Sequence, residues 1–195
     1  MNPIETLGLA LGAGFSSGLN LYATVATLGL LQRYGVLQLP PALQVLSHPW
    51  VLGIAIALYL VEFLADKIPY FDTIWDAVHT FIRPPAAALL AYAGAGAAPA
   101  EWRWGAALLA GGVALTSHGA KASARAAVNT SPEPISNWIL SFGEDLFAVW
   151  LTWMATAHPL ATTILVVALV AASAVLLYYL FRFARRALRQ LFSSS

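Results

Sequence analysis

Six apolar stretches alternate with short polar ones along this chain. Hydrophobic residues dominate about 6–31, 50–66, 85–100, 105–128, 136–157 and 160–181. Each run is near the roughly 20 helical residues needed to cross a hydrocarbon core of about 30 Å. The third, AAALLAYAGAGAAPA, is only weakly hydrophobic, and its Gly94, Gly96 and alanines suit close helix–helix contact. The fourth is interrupted by Lys121 and Arg125. Between the second and third lies the most polar stretch, Glu62 to Pro85. Glu62 and Asp66 are four apart and share a helix face. Pro69 ends that helix, and Asp72, Asp76, His79 and Arg83 then follow at steps of four, three and four. That spacing puts these four on one face of a second short helix, opposite Phe71, Ile74, Trp75, Val78 and Phe81. Such a helix suits the membrane interface, apolar face down. The pattern predicts an all-α, polytopic membrane protein of about six transmembrane helices with one short cytoplasmic amphipathic helix, forming a single membrane domain over 1–195.

Composition agrees with the pattern. Of 195 residues, 59% are hydrophobic and 10% charged, against about 45–50% and about 25% in soluble domains. A net charge of +1 with no basic stripe argues against a nucleic-acid partner. The absence of Cys removes disulfides, thiolate metal sites and cysteine nucleophiles. The first apolar run follows acidic Glu5, lacks a basic n-region and has no small-residue cleavage site, so it reads as a span and not a signal peptide. With both termini in the cytoplasm, Lys67, Arg83, Lys121, Arg125, Arg182, Arg185, Arg186 and Arg189 lie inside, and only Arg33 and Arg103 lie outside. The positive-inside rule favours that orientation.

The two halves, 1–100 and 101–195, invite comparison as a 3+3 inverted repeat. Gly18-Leu19-Asn20-Leu21-Tyr22 overlies Gly119-Ala120-Lys121-Ala122-Ser123, and both segments end Gly- and hydroxyl-rich apolar runs. Paired Gly-interrupted helices, here the first and fourth, point to a midplane site in transporters. Chance likeness between two Gly/Ala-rich helices is the competing explanation. If the overlay holds, Lys121 lies within the membrane, where an uncompensated lysine costs about 2.5–3.5 kcal/mol. Glu62 and Glu144 are its candidate partners, while snorkelling of Lys121 and Arg125 to the headgroups is the alternative.

These considerations select a candidate site of Asn20, Tyr22, Glu62, Asp66, Lys121, Arg125, Asn129, Glu144 and Asp145. Asp72, Asp76, His79 and Arg83 form an alternative cytoplasmic face, for which a solvated helix surface is the plain reading. The turn around Asn129, Ser131, Pro132 and Pro134 is dense in caps, and Ser136 can N-cap the fifth span. Four acids and a His could hold a hard cation such as Mg²⁺. Their spacing matches no metal signature, however, and the nearby bases favour internal pairing. No cofactor motif is present.

The segments EFLADKIPYFDTIWDAVHTFIRPPA, KASARAAVNTSPEPISNW and GLNLYATV resemble an uncharacterised bacterial integral-membrane family that carries only a domain-of-unknown-function label, of the DUF4126 type. The resemblance implies a small multi-span inner-membrane protein and supplies no activity. The expected function is therefore a small transporter or permease for a small solute or ion, an anion slightly favoured because Lys121 is the costliest charge to bury. A membrane enzyme acting on a lipid or polyprenyl phosphate is the alternative. An assembly partner, docking another subunit through the small-residue third span, is a further one. The bilayer is the expected surrounding, and the Ala/Gly surface suits a homodimer.

Overall fold

A computed structural model describes residues 3–68, 70–129 and 135–193, with side chains for all of these except 184 and 187–193. Pro69, Ser131, Pro132, Glu133 and Pro134 lie outside the described residues. The elements are α1 (Pro3–Arg33), a 3₁₀ helix (Pro41–Ser47), α2 (Pro49–Ala65), α3 (Phe71–His79), α4 (Arg83–Gly94), α5 (Ala100–Val128), α6 (Ile135–Ala157) and α7 (Pro159–Ser193). No strand occurs among the described residues. The six apolar runs fall on α1, α2, α4, α5, α6 and α7, and the expected short amphipathic helix is α3. Prolines mark several starts, as Pro49 does for α2, where a missing N–H costs nothing. Ser136 lies inside α6, which begins at Ile135, so the expected Ser136 cap does not form.

Among the described residues, Pro159–Phe183 is the one helix long and apolar enough to cross a membrane by itself. The 3₁₀ helix and α2, bent by 65° from one another, would make a second span if taken together. At 12 residues, α4 is only about 18 Å long, too short to cross a hydrocarbon core alone. The reason is local. Pro84 and Pro85 open the helix, and Gly96, with φ of 58°, turns the chain soon after Gly94.

α1 departs furthest from expectation. A straight helix of 31 residues would be about 46 Å long. Yet Glu5 and Leu9 near its start line one pocket with Leu37, Gln38 and Leu39 just past its end. Leu9 and Ala13 from its first half also share a core cluster with Leu28 from its second. The chain doubles back at Asn20, whose backbone is non-helical (φ −150°, ψ 102°). α1 is therefore a helical hairpin of residues 3–19 and 21–33, with Asn20 at its tip.

The first arm of the hairpin is central. It packs against α4, α5, α6 and α7, and its small residues let those backbones come close. A Cβ on Gly8 would sit 2.5 Å from Pro159 Cβ, and one on Gly14 would sit 3.0 Å from Ala110 O. Gly12 meets Ala155 and Thr162, and Gly18 meets Ser117 and Ala114.

One sequence expectation, the inverted repeat, fails here. The first arm and α5 run side by side in the same direction, Gly14 against Ala110 and Gly18 against Ser117. An inverted repeat requires them to be opposed. α5 is also continuous, and α1 is interrupted at Asn20 and not at a glycine. Furthermore, Gly8 at the start of α1 rests on Pro159 at the start of α7. α7 then runs its 35 residues away from that point. The two chain ends thus lie at opposite ends of the bundle.

The distribution of polarity is inverted relative to a water-soluble core. Arg83 and Arg125 are among the largest fully buried side chains, with Glu62, His118 and Asn20. Trp50, Leu60, Phe81, Trp102, Leu108, Ile139, Ile164 and Phe183 are exposed.

Because the arm packs backbone to backbone, Gly18→Ala is expected to destabilise the fold by about 1–3 kcal/mol through overpacking. Gly112→Ala, on α5 with nothing within 4 Å of the new methyl, should instead gain about 0.5–1 kcal/mol of helix propensity. Thermal unfolding of the two variants in detergent measures both.

Candidate functional site

The hairpin tip creates a local problem and supplies part of its solution. Where a helix stops, its last carbonyls and first N–H groups lose their partners. Asn20 caps the second arm, its Oδ1 accepting from Ala23 N–H at 2.9 Å. The carbonyls of the first arm are taken by side chains from other elements. Gly18 O accepts from Arg83 Nη1 at 2.9 Å, Leu19 O from Lys121 Nζ at 2.9 Å, and Phe15 O from Ser117 Oγ at 2.9 Å. Two cations thus meet the negative end of the first arm's dipole. At the opposite pole, Asn20 Nδ2 donates to Asp145 Oδ1 at 2.8 Å.

The same cations organise the carboxylates. Arg83 Nη2 lies 2.7 Å from Glu62 Oε1 and 3.4 Å from Asp76 Oδ1. Lys121 Nζ lies 2.9 Å from Asp66, 3.4 Å from Glu62 and 3.8 Å from Glu144. Arg125 Nη2 lies 2.9 Å from Asp66 and 2.7 Å from Glu144. Lys121 is 2% exposed, and Glu62, Asp66 and Arg83 are fully buried. Four acids thus share three bases, a net charge of −1 from 3 − 4.

Lys121 pairs inward and does not snorkel, and both expected partners are present, with Asp66 closer than either. The face Asp72/Asp76/His79/Arg83 is also not a separate solvated surface. α3 turns its polar side into the protein and leaves Phe71, Ile74 and Val78 exposed, with Asp76 facing Arg83 of α4 and Asp72 held by Asn129 at the end of α5. Arg83 and Asp76 therefore belong to the same network as Glu62 and Lys121.

Other expected residues are placed differently. Asn129 Nδ2 donates to both oxygens of Asp72 at 2.9 Å, tying α3 to the end of α5 away from Lys121. Tyr22 sits at the rim, its hydroxyl 3.0 Å from His79 Nε2. His79 Nδ1 is 2.8 Å from Trp75 O, so Nδ1 carries the proton and Nε2 accepts from Tyr22. Burial pushes the His79 imidazole below its ordinary range.

Sequence reasoning missed His118 and Asn137. Arg83 Nη1 approaches His118 Nδ1 at 2.7 Å. A guanidinium can only donate, so Nδ1 accepts and His118 is neutral, its Nε2–H directed at Asp76 O at 3.0 Å. Asn137 accepts from Arg125 Nη1 at 3.0 Å and donates to Asp66 O at 3.2 Å. Helical spacing carried the signal: 118, 121 and 125 share a face of α5, as 137, 141 and 145 do on α6.

No group of three or more His, Asp and Glu side chains among the described residues is arranged to hold a metal ion, so the Mg²⁺ reading gains no support. An apolar groove of about 460 Å³ lies beside the network, lined by Tyr22, Val25, Leu43, Ile54, Leu58 and Leu89 among others.

A family model described as a domain of unknown function (DUF4126) matches residues 7–179. The chain belongs to that family. No curated protein and no solved structure matches it. The matched range takes in the hairpin, the whole network and α7 as far as Tyr179, so the charged cluster lies inside the family domain.

Lys121→Met would leave Asp66 without its lysine and Glu62 with Arg83 alone. Removing one partner from a buried network costs about 3–5 kcal/mol, and a loss of that size is expected in detergent unfolding. Adding Asp66→Asn to Lys121→Met should recover part of it, since coupled sites are not additive.

Proposed function

We propose that this protein is a small polytopic membrane transport protein, a permease for a small solute or ion, whose site is the charged network at the tip of the α1 hairpin. One observation carries the reading: a helix breaks deep inside the protein, and its freed carbonyls face buried cations. Non-helical backbone at membrane depth is tolerated where it is buried in protein or lines a cavity, and transporters use such breaks to bind solutes and ions. The apolar exterior and charged interior support the membrane setting.

In this reading α2, α5, α6 and α7 cross the bilayer, α4 crosses together with the turn that follows it, and α1 enters and returns. Arg182, Arg185 and Arg186 on α7 lie towards the end that carries Lys67 and α3, and the positive-inside rule makes that end cytoplasmic. The N-terminus then lies on the opposite face, which revises the expectation of two cytoplasmic termini. The charge count also turns the substrate preference. A network with one more acid than base favours a cation over an anion. The enzyme reading loses ground, because the α3 acids face inward and not towards a lipid phosphate.

The chain's lack of Cys makes the topology directly testable. In intact cells a membrane-impermeant thiol reagent should label Ala97→Cys, and should reach Ile68→Cys only after permeabilisation. The opposite pattern would invert the orientation, and labelling of both only after permeabilisation would remove this topology. For the site, Asn20→Ala loses the cap and the Asp145 bond. In proteoliposomes it should lower cation flux by roughly tenfold, the rate equivalent of about 1.4 kcal/mol. Unchanged flux would take the hairpin tip out of the path.

A further inference from the structure

The network's surplus negative charge has an address. Asp66 and Glu144 each meet two bases within 4.0 Å, and Glu62 meets Arg83 at 2.7 Å and Lys121 at 3.4 Å. Asp76 has one contact, Arg83 at 3.4 Å, and that guanidinium is already engaged by Glu62 and Gly18 O. Neither Asp76 oxygen has a hydrogen-bond partner among the described residues, although the side chain is only 4% exposed. A carboxylate removed from water with no donor costs several kcal/mol, and such groups neutralise instead.

We propose that Asp76 is the proton-binding residue of this site, and that the cation the site exchanges is H⁺. In the closed form one Asp76 oxygen carries the proton as a neutral carboxyl. The network charge is then 0, with three bases against three ionised acids. Release of that proton restores −1 beside Arg83. Arg83 also holds Gly18 O at the hairpin tip, so the change in charge acts on the residue that fastens α1. This deepens the transport reading, on which it rests for its purpose, while the protonation itself rests on the geometry alone.

The groups facing Asp76 set its behaviour. Burial lifts its carboxyl above the ordinary range, against the pull of Lys121, Arg83 and Arg125 and with the push of Asp66. His118, neutral and bonded to Asp76 O, and Glu62, which shares Arg83, complete its surroundings. A group whose folded value is raised stabilises the fold fully below its unfolded value of about 4 and loses that contribution as pH rises through the folded value. The melting temperature of the wild type should therefore fall as pH rises above the ordinary carboxylate range. His79, held low by burial, titrates with the opposite sign and is left intact by changes at Asp76.

The test is infrared difference spectroscopy of the purified full chain in nanodiscs, titrated from acid to alkaline pH, with melting curves on the same samples. The expected result is a protonated-carboxyl C=O band at neutral pH that disappears on alkalinisation. It should be absent in Asp76→Asn, retained in Asp72→Asn, and still titratable but shifted in Asp76→Glu. Asp76→Asn should also flatten the decline in melting temperature on the alkaline side. A band that survives Asp76→Asn, or vanishes only in Asp145→Asn, would overturn the assignment. So would a neutral-pH band abolished by sodium chloride but not by an equal concentration of choline chloride, which would make sodium the ion. Proteoliposomes with an internal pH dye separate this from the transport reading. A titrating Asp76 band without dye response to a pH gradient leaves the proton site standing and removes proton transport.

Discussion

Everything in this structure depends on how the break at Asn20 is satisfied. A helix that stops inside a protein leaves carbonyls which water cannot reach, and here Arg83 and Lys121 reach them from α4 and α5. Those cations are tolerable in the interior only because Glu62, Asp66, Asp76 and Glu144 surround them. The acids are tolerable only because the cations are there. The hairpin, the ends of α2 and α3, and the polar thirds of α5 and α6 are therefore one cooperative unit. A buried network of this kind is poor evidence for high stability, since ion desolvation opposes the Coulombic gain. It fixes geometry, because few arrangements satisfy all of its members together.

Packing around the network follows from side-chain size. Gly8, Gly12, Gly14 and Gly18 let the first arm of α1 lie against α5, α6 and α7 at near backbone distance. That contact brings Leu19 O and Lys121 Nζ within hydrogen-bonding range. Where the surroundings are as apolar as the side chains, small-residue contacts and polar bonds drive helix association in place of the hydrophobic effect. The exposed aromatic and aliphatic side chains of α2, α5, α6 and α7 are then the solvent-facing surface of a molecule whose solvent is lipid, as the proposed setting requires.

Much of this was legible in the chain. The apolar periods located six helices to within a few residues at most ends, and the steps from Asp72 to His79 located α3 and its polar face, while Arg83, expected on the same helix, opens α4 instead. The cost of a lone Lys121 among apolar residues called for partners, and Glu62 and Glu144 were identifiable as such. His118 and Asn137 escaped notice because each, taken singly, resembles an ordinary polar residue on an amphipathic helix. Only their register with Lys121, Arg125 and Asp145 marks them.

The sequence by itself determined the elements, the segregation of charge into a few faces, and the membership of most of the network, because helical period and desolvation cost are local properties of the chain. The direction of each face was decided by tertiary structure alone. An amphipathic helix can turn its acids to water or to neighbouring donors, and α3 turns Asp76 to Arg83 and Asp72 to Asn129. An apolar run of 31 residues can cross or return, and α1 returns because Arg83, Lys121 and Asp145 are in place to satisfy its open turn. Those partners lie between 63 and 125 residues away, and no local pattern in α1 records their presence.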